Sequence, residues 1–308
     1  MNKDQTPDDP SGSLRKDAIP SPNKAGPSEN QPQAASEQAD PTLTGLQSRG
    51  MPSQGLADWG IPATKELLEQ MNDLADRQPA LLFTLNALES GTFRDRHGRS
   101  DPLGSIRNPV EQIALLAWLA RHCITELSIE IGFGMGMTAN TILSGRIDAE
   151  RPFRHFIYDP YGLPDQRGEL VQVFLRETHG DAFQRIFSRS QFGIAELANA
   201  PDPPPCGLVY VDGDHQFEGV LADFFAADKL MPIGGFMVFD DASFPPVETV
   251  IHYVRNNRDD YEVSNLEIPN TAVLRRIDVD RREWDHFRPF EVVGRGDWIP
   301  TDRKPSMK

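Results

Sequence analysis

Apolar side chains recur at helical spacing in ATKELLEQMNDLAD (63–76) and ALLFTLNALES (80–90), and this period predicts two amphipathic helices. The run from Gly91 to Ile106 is rich in Gly, Arg, Asp and Ser and reads as a loop. Asn108-Pro109-Val110-Glu111 then carries helix-start signals: Asn as the N-cap, Pro in the first turn and an acid at the third position. EQIALLAWLARH continues that helix, with Trp118 expected in the core.

After residue 125 the pattern changes. ELSIEI (126–131), FRHFIYD (153–159), QRIFS (184–188), GLVYVD (207–212) and GGFMVFDD (234–241) are short β-like runs. Helical segments separate them: MTANTILSG, residues 169–178, FEGVLADFFAADKLM (217–231) and PVETVIHYVRNN. Phe224 and Phe225 are expected to pack on the sheet. YEVSNLEI and TAVLRRI, joined through Pro269-Asn270, suit an antiparallel hairpin at the end. Strands alternating with helices predict an α/β fold, a three-layer α/β/α sandwich. The expected sheet is Rossmann-like, seven-stranded and mostly parallel, with an antiparallel C-terminal hairpin.

Residues 1–50 hold seven prolines and no aromatic residue. Such a segment buries too little apolar surface to offset its ordering entropy. Residues 1–55 are therefore expected to be a disordered tail, with Trp59 the first packing anchor. Residues 56–107 read as an N-terminal helical cap with a substrate loop, 108–294 as the α/β domain, and 295–308 as a C-terminal tail.

The 308 residues include 31 Lys+Arg and 46 Asp+Glu, a net charge of −15 and a pI near 4.9. Only −2 of that charge falls in the first fifty residues, where five basic face seven acidic residues. The folded part is thus the acidic part. This argues against a nucleic-acid partner, which needs a basic face, and against docking on anionic membranes. No run approaches the roughly 18 apolar residues of a membrane span. The start, MNKDQTPDDPSGS, lacks the apolar core of a secretory signal. Cys123 and Cys206 have no metal-type spacing and read as buried apolar filler in a reducing compartment. A cytoplasmic location is the expectation.

The first strand runs into Glu130-Ile131-Gly132-Phe133-Gly134-Met135-Gly136, and a helix follows. Glycines at such a turn let the backbone bend sharply and approach a ligand. The spacing G-x-G-x-G differs from a phosphate-cradling loop and from the dinucleotide pattern G-x-G-x-x-G. An acid just before the glycines suits a cationic group. This segment resembles motif I of class I S-adenosylmethionine-dependent methyltransferases. The resemblance implies that Gly132, Gly134 and Gly136 wrap the amino-acid part of the cofactor, with Glu130 beside them. It also implies that Asp159, ending the second strand, binds the ribose diol, and that Ser190 lies at the adenine. A carboxylate suits a diol because it accepts both O–H donors.

Two further segments carry chemistry: Asp212-Gly213-Asp214-His215-Gln216-Phe217-Glu218-Gly219-Val220 and Phe239-Asp240-Asp241-Ala242-Ser243. Both end strands that open on the edge of the glycine turn. Converging carboxylates repel one another unless a cation lies between them, and all-oxygen ligands favour Mg²⁺, Mn²⁺ or Ca²⁺. The pair D-G-D-H-x-x-E-G-V and G-G-x-x-x-x-D-D resembles the subgroup of macrocin-type and related sugar O-methyltransferases, over roughly residues 105–280. It implies a metal at Asp212, Asp240 and Asp241, Asp212 also facing the cofactor, and a catalytic base at Asp214 or His215. Histidine has the better unperturbed pKa for that task.

The expected activity is transfer of a methyl group from S-adenosyl-L-methionine to a hydroxyl of a sugar or natural-product small molecule, assisted by Mg²⁺ or another divalent ion. Two alternatives stand beside it: N-methylation or hydroxylation on the same cofactor site, and a non-catalytic binding module using the tail as a contact arm. Intact Asp212, Asp214, His215, Asp240 and Asp241 count against the module. Phe133, Met135 and Tyr161 are candidate pocket residues. The basic run with Arg94, Arg96, His97 and Arg99 is a candidate lid over an acidic or sugar substrate. The sequence leaves the acceptor open and leaves room for a homo-oligomer.

Overall fold

The computed structural model describes residues 55–104, 107–160, 168–264 and 267–292. Residues 1–54 of the expected N-terminal tail, the tail at 295–308 and Tyr161 lie outside the described residues. Trp59 is the anchor expected of it: the ring is buried and its Nε1 donates to Glu262 Oε2 at 2.7 Å.

The chain forms α1 (Thr64–Arg77), α2 (Ala80–Ser90), β1 (Thr92–Arg94), β2 (Ser100–Pro102) and α3 (Val110–Arg121). Then follow β3 (Leu127–Ile131), α4 (Met137–Asp148), β4 (Arg154–Tyr158), α5 (Glu169–His179), β5 (Phe183–Ile186) and α6 (Ser190–Ala198). The rest is β6 (Cys206–Val211), α7 (Phe217–Asp228), β7 (Phe236–Phe239), α8 (Pro245–Asn257), β8 (Tyr261–Val263) and β9 (Ala272–Arg276).

Seven strands make one sheet in the order β5-β4-β3-β6-β7-β9-β8. Strands β3 to β7 are parallel, and β9 runs antiparallel to both β7 and β8. This is the Rossmann-like α/β/α sandwich with an antiparallel end that the alternating pattern predicts. β3 and β6, the two central strands, are buried at every position, as strands covered on both faces must be.

Alternation along β6 separates the two faces. Val209 and Val211 join the core under α6, α7 and α8, whereas Leu208 and Tyr210 face the core under α1 and α3. A third cluster joins α2, α4 and α5 to the β1–β2 hairpin through Phe93, Phe133 and Phe174. Phe133 and Met135 are core members here, 2% and 1% exposed. Phe224 is fully buried and Phe225 packs beside it; both cysteines are buried as free thiols.

Three local readings change. The segment 91–106 holds a short hairpin, β1 with β2, turned by Asp95, whose Oδ1 accepts from the His97 and Arg99 amides at 2.9 and 2.8 Å. Its basic residues are largely engaged: Arg99 with Asp95, and Arg96 and His97 with Glu177 of α5. Asn108 is not the N-cap of α3. That place falls to Pro109, with no side-chain cap bond, and the Asn108 Nδ2 instead donates to Gln112 and to Tyr210 and Asp240 of the site described below. Trp118 is half-buried at the edge of its cluster, stacked on His122 at 4.1 Å between ring centroids.

Candidate active site

The parallel strands bring their C-terminal ends to one edge. There β3 ends in a turn whose glycines all take positive φ: Gly132 at 89°, Gly134 at 47° and Gly136 at 69°. Gly132 passes so close to the end of β6 that a Cβ on it would stand 2.0 Å from the Asp212 carbonyl oxygen. Gly136 is the N-cap of α4, so the positive end of that helix opens onto the same edge.

The turn is held from below and from the side. Glu130 has no accessible surface; Thr138 Oγ1 donates to its Oε1, and its Oε2 lies 3.1 Å from His155 Nε2. His155, also wholly buried, meets Ser128 Oγ through Nδ1 at 3.1 Å. Asp159, at the end of β4, accepts from the Phe133 amide at 3.0 Å and from Arg185 Nη2 at 3.4 Å. Arg185 in turn lies over the Phe133 ring, 4.3 Å from its centroid. Ser190, in the first turn of α6, donates to Asp223 Oδ1 at 2.6 Å. Burial pushes the Asp223 carboxyl up to about 7.

The acids at the ends of β6 and β7 form a chain of contacts. His215 Nε2 lies 3.1 Å from Asp241 Oδ2 and 3.8 Å from Asp212 Oδ1. The Tyr210 hydroxyl lies 3.4 Å from Asp212 Oδ2 and 3.1 Å from Asp240 Oδ2, so its one proton serves one acid at a time. Asp240 also accepts from Gln112 Nε2 at 2.8 Å and from Asn108 Nδ2 at 3.3 Å. Asp241 accepts from Asn270 Nδ2 at 2.6 Å. Asp214 turns away to the start of α7, where its Oδ1 accepts from the Gln216 amide at 3.0 Å and its carboxylate packs over Gly219.

The electrostatics follow from this crowding. Burial, with Asp240 and Asp241 adding repulsion, pushes the Asp212 carboxyl up to about 7 against the lowering effect of His215. Asp240 is raised as well, chiefly by burial. The His215 imidazole is raised by the neighbouring Asp212 carboxylate and by the charge of Asp241. Burial and the neighbouring carboxylates hold Tyr210 well above the usual phenol range. Donor atoms of Asp212, His215 and Asp241 all lie within 4.8 Å of one another. Two carboxylates at that spacing suit a divalent ion that takes oxygen ligands, with the imidazole beside them as a proton acceptor.

The structure thus gathers Asp212, His215, Asp240 and Asp241 at the edge where Gly132, Gly134, Gly136 and Asp159 also stand. It sets Glu130 beneath that edge and turns Asp214 away from it. Sequence reasoning missed Tyr210, Gln112 and Asn270. Tyr210 sits two places before Asp212 and so shares its strand face; Gln112 is a lone amide inside an apolar helical run.

The sheet order and the glycine turn define the fold of the class I methyltransferases. Residues 129–242 match the family model described as a methyltransferase domain. The match spans the strands and turns that build the site, so over this stretch the chain is similar to a methyltransferase domain. Similar solved structures include the O-methyltransferase TomG from Streptomyces achromogenes, involved in tomaymycin synthesis, in complex with S-adenosylmethionine: 17% identity, 57% of this chain and 83% of that one, TM-score 0.46. The apo structure of CalS11, a TDP-rhamnose 3'-O-methyltransferase of calicheamicin biosynthesis, shows 17% identity over 72% of this chain and 99% of that one, TM-score 0.47. The O-methyltransferase from Bacillus cereus in complex with S-adenosylhomocysteine shows 11% identity over 70% of this chain and all of the other, TM-score 0.49. No curated protein sequence matches the chain.

Proposed function

We propose that this chain is an S-adenosylmethionine-dependent methyltransferase acting on a hydroxyl group of a sugar or natural-product small molecule, with a divalent ion, Mg²⁺ first among them, at the acidic cluster. The observation that carries the reading is the convergence of Asp212, His215 and Asp241 beside the glycine turn. S-adenosylmethionine, when bound, supplies a methyl group on a sulfonium that needs alignment more than activation.

Gly132, Gly134 and Gly136 leave room for the amino-acid end of the cofactor against the N-terminus of α4. Asp159 holds the ribose diol, and Ser190 stands at the adenine. Glu130 acts through the turn it braces. Asp212 faces both the cofactor and the metal. Asp212 and Asp241 hold the ion, with Asp240 beside them, fixed by Gln112 and Asn108. An ion at these acids supplies Lewis acidity that makes an alcohol easier to deprotonate.

His215 takes the proton from the acceptor hydroxyl. Its Nε2 already points into the cluster, and Phe244 packs edge-on against the ring at 5.3 Å between centroids. Asp214 serves the start of α7 instead. The helices α1 and α2 with the β1–β2 hairpin form the cap over the acceptor.

The test is a transfer assay with methyl-labelled S-adenosylmethionine, Mg²⁺ and matched acceptors bearing hydroxyl, amine or thiol groups. Hydroxyl methylation that chelator abolishes and that falls in Asp241→Asn and His215→Gln is the expected result. Methylation of the amine alone, or chelator-insensitive transfer unaffected by Asp241→Asn, overturns the reading.

A further inference from the structure

The opposite edge of the sheet carries a second cleft, of about 440 Å³. Its walls come from the segments that enter the strands: Cys123 to Leu127 before and into β3, Arg151 to Arg154 before β4, and Pro204-Pro205 before β6. Arg146, near the end of α4, closes it. The cleft is therefore separated from the glycine turn by the length of the strands.

Its charge is out of keeping with the rest of the chain. Arg146, Arg151 and Arg154 all line it, in a protein of net charge −15. Among the described residues none of the three has a carboxylate within ion-pair distance. Other arginines are paired: Arg258 holds Asp228 and Asp260 at 2.7 Å each, and Arg77 and Arg121 share Asp148. Arg146 is only 3% exposed, yet its guanidinium hydrogen-bonds only main-chain carbonyls, those of Thr125 at 2.7 Å, Glu126 at 2.9 Å and Cys123 at 3.5 Å, and lies over the Phe153 ring at 5.5 Å. Its Nε has no hydrogen-bond partner. A buried cation with an unused donor is costly unless an anion completes it. Glu126, the one acid of the lining, meets Arg146 by its carbonyl. Arg151 uses one donor, on the Arg121 carbonyl at 3.0 Å, and Arg154 is exposed.

The remaining lining is apolar. Ile124 is 54% exposed, and Pro152, Pro204 and Pro205 add flat hydrocarbon faces. Guanidinium groups recognise phosphate, sulfate and carboxylate oxygens through paired N–H donors. An apolar wall beside them selects a ligand with a hydrocarbon or ring body.

We propose that this cleft is a second ligand site, binding a small oxyanion carried on an apolar body, with Arg146, Arg151 and Arg154 as its anion-binding residues. It is independent of the methyl-transfer site.

Phenyl phosphate is the probe, titrated calorimetrically into the full chain, with inorganic phosphate and phenol as comparators. Phenyl phosphate binds saturably, more tightly than either. The Arg151→Ala/Arg154→Ala variant changes only exposed side chains; it weakens binding by about tenfold or more while the affinity for S-adenosylhomocysteine stays unchanged. Equal binding of phenyl phosphate by wild type and variant overturns the proposal. So does phenol or inorganic phosphate binding as tightly as phenyl phosphate, or no saturable heat with the wild type.

Discussion

Asp241 and Asn270 both take left-handed backbone conformations, φ 50° and 54°, and Asn270 Nδ2 donates to Asp241 Oδ1 at 2.6 Å. Asn270 also accepts from Ser243 through its side chain and from the Ala242 amide through its main-chain carbonyl. The left-handed region costs an ordinary residue about 1–2 kcal/mol, and Asn and Asp tolerate it best. The other Asp241 oxygen lies 3.1 Å from His215 Nε2. Asn270→Ala adds strain and removes the bond, and is expected to cost about 2–3 kcal/mol of stability. Asn270→Gly relieves the strain and is expected to unfold at higher denaturant than the Ala variant, yet to share its lowered methyl-transfer kcat. Urea titrations alongside transfer rates check both.

Gly132 gives a sharper test of the turn. A Cβ there meets backbone on the neighbouring strand, and φ is 89°. Gly98, at φ 78° in the hairpin, has nothing within 4 Å of the same added atom. Gly98→Ala is expected to cost about 1 kcal/mol, from strain alone. Gly132→Ala must push β3 and β6 apart, and loses S-adenosylhomocysteine binding by calorimetry. Equal affinities in the two variants would show that the turn is not where the cofactor lies.

The sheet was legible because each strand is a short apolar run between helical segments, and the buried centre of β3 and β6 makes those runs continuous. The acids at the strand ends were legible for the same reason: a parallel sheet sends every strand end to one edge. What was not legible came from long-range contacts. Asn108 has the residue type and place of a helix cap, and only the fold shows its amide 132 residues away on Asp240. The basic loop at 94–99 reads as free charge, yet Asp95 and Glu177 engage most of it. Tyr210 reads as core and is core, but its hydroxyl ends among carboxylates.

Asp223 supplies a pH dependence of stability. Its carboxyl, 1% exposed, is pushed by burial from 3.8 up to about 7 in the folded chain, although Ser190 donates to it. A carboxyl raised on folding binds its proton more tightly in the native state. Its contribution is complete below about pH 4 and is lost as pH rises through about 7. The full difference amounts to at most about 4 kcal/mol. Asp223→Asn keeps an oxygen for Ser190 and removes the titration. The variant is expected to gain on the wild type as pH rises from about 4 to 8, in denaturation midpoints measured across that range. Parallel curves would refute it.

Glu130 bears on how a residue without accessible surface serves a cofactor. Its two oxygens are committed to Thr138 and His155, one at the head of α4 and the other on β4. It therefore ties together the two elements between which the glycine turn is strung. If it acts by positioning, Glu130→Gln, which keeps the shape and one acceptor oxygen, weakens S-adenosylhomocysteine binding modestly. Glu130→Ala leaves His155 buried without its partner and costs about 3 kcal/mol or more of stability. The two roles separate in a double variant. His155→Phe with Glu130→Gln removes the buried charge pair and recovers part of the stability lost in Glu130→Ala, because no buried imidazole is left facing a vacated site. Cofactor affinity in that double variant is expected to follow the restored turn rather than the missing charge. A cofactor affinity that tracks the carboxylate charge alone, regardless of stability, would place Glu130 in direct electrostatic contact with the cofactor.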